Sequence, residues 1–173
     1  HAARVSKIYH MGVPGGIEQG GDGADDAASW NERYNSPGPE WRAPGKGETL
    51  QGNPDGKRPV VGGNTFVVVE AEGDDLVHSD GKTAVKAAEL IGKFSKQEKP
   101  FFLGVGFVRP HVPFVAPKKY YEPFLPYSKM KLPPKIEGDW DDIPKPGINY
   151  CTSVNMKMDI RKQKKAVGGY YAS

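Results

Sequence analysis

Lys99-Pro100-Phe101-Phe102-Leu103-Gly104-Val105-Gly106-Phe107-Val108-Arg109-Pro110-His111-Val112-Pro113-Phe114 is the stretch on which the reading of the fold turns. Residues 101–108 are apolar throughout and are bounded by Pro100 and Pro110. A short apolar run between prolines predicts a strand buried on both faces of a parallel sheet. Strand alternation then puts Phe101, Leu103, Val105 and Phe107 on one face and Phe102 and Val108 on the other. Upstream, residues 79–97 repeat Ala84, Ala87, Ala88, Ile91 and Phe94 at helical spacing, with Ser79 or Asp80 as cap. Gly92 weakens the last turn by roughly 1 kcal/mol relative to Ala, and Lys99-Pro100 ends the helix. A helix followed closely by a buried strand is half of an α/β repeat, so the fold class is α/β. Ligands of open α/β sheets sit beyond the carboxyl ends of the strands. His111, held in extended backbone by its two neighbouring prolines, falls at such an end.

Working outward, residues 1–11 read as the end of a strand or a short helix, with Val5, Ile8 and Tyr9 as core candidates. Residues 12–63 hold 13 of the 22 glycines and 6 of the 16 prolines. A loop region of that length inside a compact domain is functional or pinned by aromatics, here Trp30, Tyr34 and Trp41. Asn64-Thr65-Phe66-Val67-Val68-Val69 is β-rich. Residues 117–150 are rich in Pro, Lys and Tyr, with a short helix expected at 117–122. Asp159 caps a second helix that runs to the end. The chain opens at His1 and closes on Tyr170-Tyr171-Ala172-Ser173 inside that helical pattern. We therefore expect 1–173 to be an internal part of a single catalytic domain, truncated at both ends.

Composition limits the function classes. The 173 residues are 37% apolar and carry a formal net charge of +3. A charge that small, without clustering, argues against a nucleic-acid or membrane partner. No apolar run is long enough to span a membrane. The single cysteine, Cys151, excludes an internal disulfide framework and a cysteine zinc site and is expected to be structural. The paired acids Asp25-Asp26, Asp74-Asp75 and Asp141-Asp142 have no cation-loop spacing and read as turns or solvated loop. The basic stretch 157–165 reads as a solvated helix face. Of the four histidines, His1 and His78 read as ordinary polar residues. His10 lies in Lys7-Ile8-Tyr9-His10-Met11-Gly12. Taken alone, that Lys/His pair is more often surface than site, whereas His111 at a strand end stands out.

The block from Lys99 to Tyr120 closely resembles one segment of the formylglycine-dependent sulfatases. In their iduronate-2-sulfatase and choline-sulfatase-like branch, a Pro-Phe-Phe-Leu strand precedes Lys-Pro-His, Pro-Phe and Pro-Lys. Lys7-x-x-His10-x-Gly12 resembles the earlier basic motif of that branch, which arylsulfatases space as Lys-x-His. Tyr170-Tyr171-Ala172-Ser173 resembles the helix that follows the substrate loops. The resemblance implies an alkaline-phosphatase-like α/β/α sandwich and hydrolysis of a sulfate ester, with a sugar or polysaccharide as the expected carrier. It implies a formylglycine nucleophile made from the cysteine of Cys-x-Pro-x-Arg, and a calcium ion that polarises the sulfate. Carried over by position, Lys7 contacts the sulfate and the nucleophile. His10 holds the formylglycine and helps expel sulfate. His111 contacts the ester oxygen as donor or general acid, and Arg109 borders the substrate. Secretion or a periplasmic location follows from the same resemblance.

There are departures. Arg109 stands where Lys is usual, which keeps the charge and changes its shape. No Cys-x-Pro-x-Arg is present, so the nucleophile and the calcium ligands are expected outside these residues, and the piece alone is expected to be inactive. The rivals are a phosphodiesterase or phosphonate hydrolase of the same fold, a non-catalytic carbohydrate-binding relative, and a small basic nucleic-acid binder built on 157–165.

Overall fold

The computed structural model describes residues 1–50, 66–147 and 158–173. The first strand, β1 (Ala2–Ser6), alternates small apolar and polar side chains. Ala3 and Val5 face a helix, while Arg4 faces the other side of the sheet. β1 pairs in parallel with β2 (Glu32–Tyr34) on one edge and with β5 (Phe102–Gly106) on the other, in the order β2-β1-β5. The helix is α2 (Ser79–Phe94), whose Leu90 and Phe94 pack on Ala3, Val5, Tyr34 and Leu103. A short helix, α1 (Gly15–Gln19), brings Ile17 against Met11 and Val108.

The second sheet has the order β3-β4-β6, built from β3 (Gly45–Thr49), β4 (Val67–Ala71) and β6 (Phe114–Pro117). β3 runs antiparallel to β4, and β6 parallel to it. Val68, Phe114 and Ala116 pack beneath α3 (Ile160–Ala172), against Ala166, Ala172 and Tyr121. Val67, Val69 and Val115 pack the opposite way, on Trp41 and Ala43. The architecture is thus mixed α/β, with two small sheets and helices. The chain passes from one sheet to the other through residues 107–113, so His111 sits on the crossing.

Several expectations are corrected. The strand at 102–106 is an edge strand among the described residues, and Phe102 is 63% exposed. Burial on both faces belongs instead to β4 and β6. Phe102 stacks on Trp30, and Leu103 turns to the helix, so the alternation itself holds. The buried stripe of α2 is Thr83, Ala87, Leu90 and Phe94. Ala84, Ala88 and Ile91 are exposed, because the sheet meets the helix one step round from the alanine-rich side. Neither Ser79 nor Asp80 caps the helix: His78 occupies the N-cap without a side-chain bond, and Asp80 is used elsewhere.

Residues 1–11 start as a strand. Ile8 and Tyr9 are exposed. The helix expected at 117–122 is two short 3-10 turns, Lys118–Tyr120 and Glu122–Phe124. Asp159 caps α3 as expected, accepting from the Lys162 amide at 2.8 Å. Asp25 is no solvated turn: it accepts from Nε and Nη2 of Arg4 and lies buried beside it. The basic face of α3 is not simply solvated either, since Arg161 and Lys165 both close on Glu48. The expectation for Cys151 falls outside the described residues.

Candidate functional site

Lys7 and the segment that carries His111 leave the first sheet at the same end because of how β1 and β5 pair. The parallel register aligns Ser6 with Gly106. The ladder ends with the Lys7 amide donating to the Gly106 carbonyl at 3.1 Å. Gly106 has to be glycine here: a Cβ would overlap the Lys7 carbonyl. Ser6 then adopts a left-handed conformation, φ 58°, which turns the chain out of the sheet immediately before Lys7. Such a conformation is uncommon for a residue with a side chain and costs of order 1 kcal/mol or more, so packing must hold it. Ser6 is buried, and its carbonyl accepts from the Ile8 amide and from Arg4.

His10 follows on the same edge. Its carbonyl accepts from the Ala24 amide at 2.8 Å, and the next residue, Met11, packs with Val108. Gly23 lies under it at φ 65°, where a Cβ would stand 2.6 Å from the His10 carbonyl. Loops after β1 and β5 therefore meet through Met11 and Val108, with His10 one residue before the first and His111 three after the second. Among the described residues, neither the Lys7 ammonium nor the His10 ring makes a hydrogen bond. His10 is exposed, and Lys7 and His111 are half-buried.

The His111 backbone is held at both ends. Its amide donates to the Val108 carbonyl at 3.0 Å, and its carbonyl accepts from Arg109 Nη1 at 3.1 Å. Its Nδ1 lies at the Val112 carbonyl. A carbonyl can only accept, so Nδ1 carries the proton and Nε2 is the nitrogen left for chemistry.

Arg109, expected at the substrate, has its guanidinium engaged within the protein. Nη2 meets both carboxylate oxygens of Glu40, at 2.7 and 2.6 Å, and Nε donates to the Val115 carbonyl. The Arg109 side chain is 9% exposed and that of Glu40 is 1% exposed. Burial pushes the Glu40 carboxyl up, and the Arg109 guanidinium opposes that push. On the helix side, the two Asp80 oxygens accept from the amides of Val108 and Arg109, at 2.8 and 2.9 Å. Glu40 and Asp80 are residues that sequence reasoning missed. The available signal was Trp41, a large apolar side chain directly after the acid.

A cavity of about 560 Å³ lies behind this turn, lined by residues including Glu40, His78, Asp80, Arg109 and Tyr120. Lys7, His10 and His111 are not among the residues that line it. His78, expected to be an ordinary polar residue, is buried there, and burial pulls its imidazole below the usual range. Among the described residues, no three His, Cys, Asp or Glu side chains come together as a cation site. No helix among them is long and apolar enough to cross a membrane.

A lysine and two histidines in the segments that follow two paired parallel strands are groups whose chemistry suits an anionic ester. The curated relatives agree with that class. A sulfatase from Formosa agariphila is 33% identical over 89 residues, which is 48% of this chain and 17% of that protein. Human iduronate 2-sulfatase is 29% identical over 82 residues, 47% of this chain and 14% of that enzyme. An arylsulfatase from Clostridium perfringens is 38% identical over 80 residues, 43% of this chain and 15% of that enzyme. No family model matches. The chain spans about a sixth of the length of these relatives. The matches support the sulfatase family and do not single out a branch within it.

Proposed function

We propose that residues 1–173 are a central part of a sulfatase catalytic domain of the iduronate-2-sulfatase-like branch, with the alkaline-phosphatase-like fold, hydrolysing a sulfate ester carried by a sugar or polysaccharide. The observation that supports this reading is the β1–β5 register, which ends both strands at one sheet edge, just before Lys7 and the segment that carries His111. A sulfate ester is a singly charged anion: its sulfuryl oxygens carry that charge, and its leaving oxygen gains charge as the bond to the leaving group breaks. Cationic donors fixed in advance at those oxygens stabilise that change. In this reading Lys7 binds the sulfate oxygens, His10 assists departure of sulfate, and His111 serves the leaving oxygen through Nε2. The formylglycine nucleophile and calcium belong to the proposal through the resemblance, with their residues expected elsewhere in the protein. The 173 residues alone are then inactive, and the intact protein is secreted or periplasmic.

The test is an assay of the full-length protein on sugar sulfates, aryl sulfates and phosphate diesters. Release of sulfate, lost by roughly 10²–10⁴-fold in Lys7→Ala and His111→Ala, is the expected result. Hydrolysis of phosphate diesters without release of sulfate would assign the protein to phosphoryl chemistry. Binding of the sugar sulfate without turnover would assign it to carbohydrate recognition.

A further inference from the structure

The Gly- and Pro-rich region that precedes β3 raises a question the site does not answer: what that length of chain is for. Part of its answer is Glu40. The segment is pinned by Trp41, which is buried against Val67, Val69 and Val115 of the second sheet. It is also pressed on the start of α2, where a Cβ on Gly38 would overlap the Ser79 amide. The Pro37 carbonyl accepts from Lys82 of the same helix at 2.6 Å. Between these anchors the Glu40 amide donates to Glu18 Oε1 of α1, and the Glu40 carbonyl accepts from the Ala43 amide. The carboxylate is thus delivered, buried, to the turn after β5.

There it meets Arg109, and Arg109 in turn reaches the carbonyls of His111 and Val115. Asp80 grips the same turn from α2 through the Val108 and Arg109 amides. The backbone from 108 to 115 is therefore clamped between two carboxylates belonging to different parts of the chain. A buried guanidinium with a fixed partner is rigid, and its planar fork sets direction as well as distance. Without Glu40, the guanidinium would be free to swing toward other acceptors and release the His111 carbonyl.

We propose that Glu40, acting through Arg109, is the positioning residue for His111: it fixes the turn so that the imidazole keeps Nδ1 on the Val112 carbonyl and presents Nε2. The proposal rests on the reading of His111 as the group that serves the leaving oxygen. It reassigns Arg109 from substrate contact to the support of that group.

The experiment uses the full-length protein with Glu40→Gln, His111→Ala and the double variant. Nitrogen shifts of isotope-labelled histidine report the His111 tautomer, and kcat and KM are measured on a sugar sulfate. Glu40→Gln is expected to mix the two His111 tautomers. It is expected to lower kcat by roughly ten- to a hundredfold with KM little changed. The double variant should be no slower than His111→Ala alone, because both changes remove one function. Multiplying defects in the double variant, or an unmixed tautomer with unchanged kcat, would overturn the proposal. Should Glu40→Gln not fold, Glu40→Gln with Arg109→Met removes both buried charges together and takes the same readouts. If the wild-type protein releases no sulfate, the functional reading fails, and the tautomer arm still decides whether Glu40 sets His111.

Discussion

Lys165, near the middle of the last helix, donates to Glu48 Oε2 at 2.8 Å across 117 residues of sequence, and Arg161, one turn earlier, takes Oε1. The two bonds join α3 to β3 and lock the helix over the second sheet. Burial alone pushes the Glu48 carboxyl up. The hydrogen bonds and charges of Arg161 and Lys165 outweigh it and bring the group down to about 2, against an ordinary 4.5.

A depressed carboxyl pKa stabilises the fold above the unfolded value and loses that stabilisation as the pH falls toward the folded value. The window for Glu48 is therefore from about 4.5 down to about 2. The full difference is worth at most about 3.4 kcal/mol, and solvent screening at a partly exposed carboxylate brings it to roughly 1–2 kcal/mol. Glu48→Gln should be less stable than the wild type at pH 7, and the gap should close below pH 4. Thermal unfolding of both proteins across that range checks the slope. A gap that does not change with pH would mean that the pair contributes through packing alone.

The helix correction makes a sharper test than its size suggests. Leu90 is buried among Ala3, Val5 and Phe94, whereas its neighbour Ile91 is 51% exposed. Leu90→Ala should cost about 2–5 kcal/mol through lost transfer energy and the cavity left behind. Ile91→Ala should stay within about 1 kcal/mol. Denaturant titration of the two variants in the full-length protein separates them, and equal losses would put the helix in a different rotation.

How much of this was legible in the sequence follows from the range of each interaction. Apolar periodicity revealed α2, and the proline-bounded run revealed β5, because both signals are local. Which stripe of α2 faced the sheet was not legible, since Thr83 is buried and donates within its own helix to the Ser79 carbonyl. The Pro-His turn was legible as a stiff segment beyond a strand end because backbone stiffness is written in its two prolines. Glu40 was not, because its partner lies 69 residues away, and nothing near position 40 announces an arginine at 109. Arg109 was placed at the substrate by the resemblance, as the cation standing where Lys is usual, and only the fold supplies Glu40.

Arg4 offers a prediction about the other face of the first sheet. It is buried, and it donates to Asp25, Asp22, Asn35 and the Tyr34 carbonyl. Hydrogen bonds from Arg4 hold the Asp25 carboxyl below the usual range. Asp25→Asn should destabilise the full-length protein by about 2 kcal/mol, because the buried guanidinium loses one of its two charged partners and keeps the other. Asp26→Asn, next to it on an exposed carboxylate bonded to Ser29, should cost about 0.5 kcal/mol or less. Urea unfolding of the pair distinguishes a buried ion pair from general acidity in this loop. Similar small losses for both would mean that Asp25 is solvated in solution.

The last prediction concerns His111 itself. With Nδ1 committed to the Val112 carbonyl, only Nε2 can meet a substrate, and it can protonate a leaving oxygen only from the imidazolium form. The need for that proton depends on the leaving group. A sugar alkoxide is a poor leaving group and requires it, whereas a nitrophenolate leaves nearly unaided. His111→Ala in the full-length protein should therefore lower kcat on a sugar sulfate by roughly 10²–10⁴-fold and on nitrophenyl sulfate by much less, with KM little affected. Equal defects on the two substrates would show that His111 binds the sulfate oxygens and protonates nothing. Unchanged rates on both would make the residue structural, a ring held by its own backbone between two prolines, and would leave Lys7 and His10 to account for the chemistry at this edge.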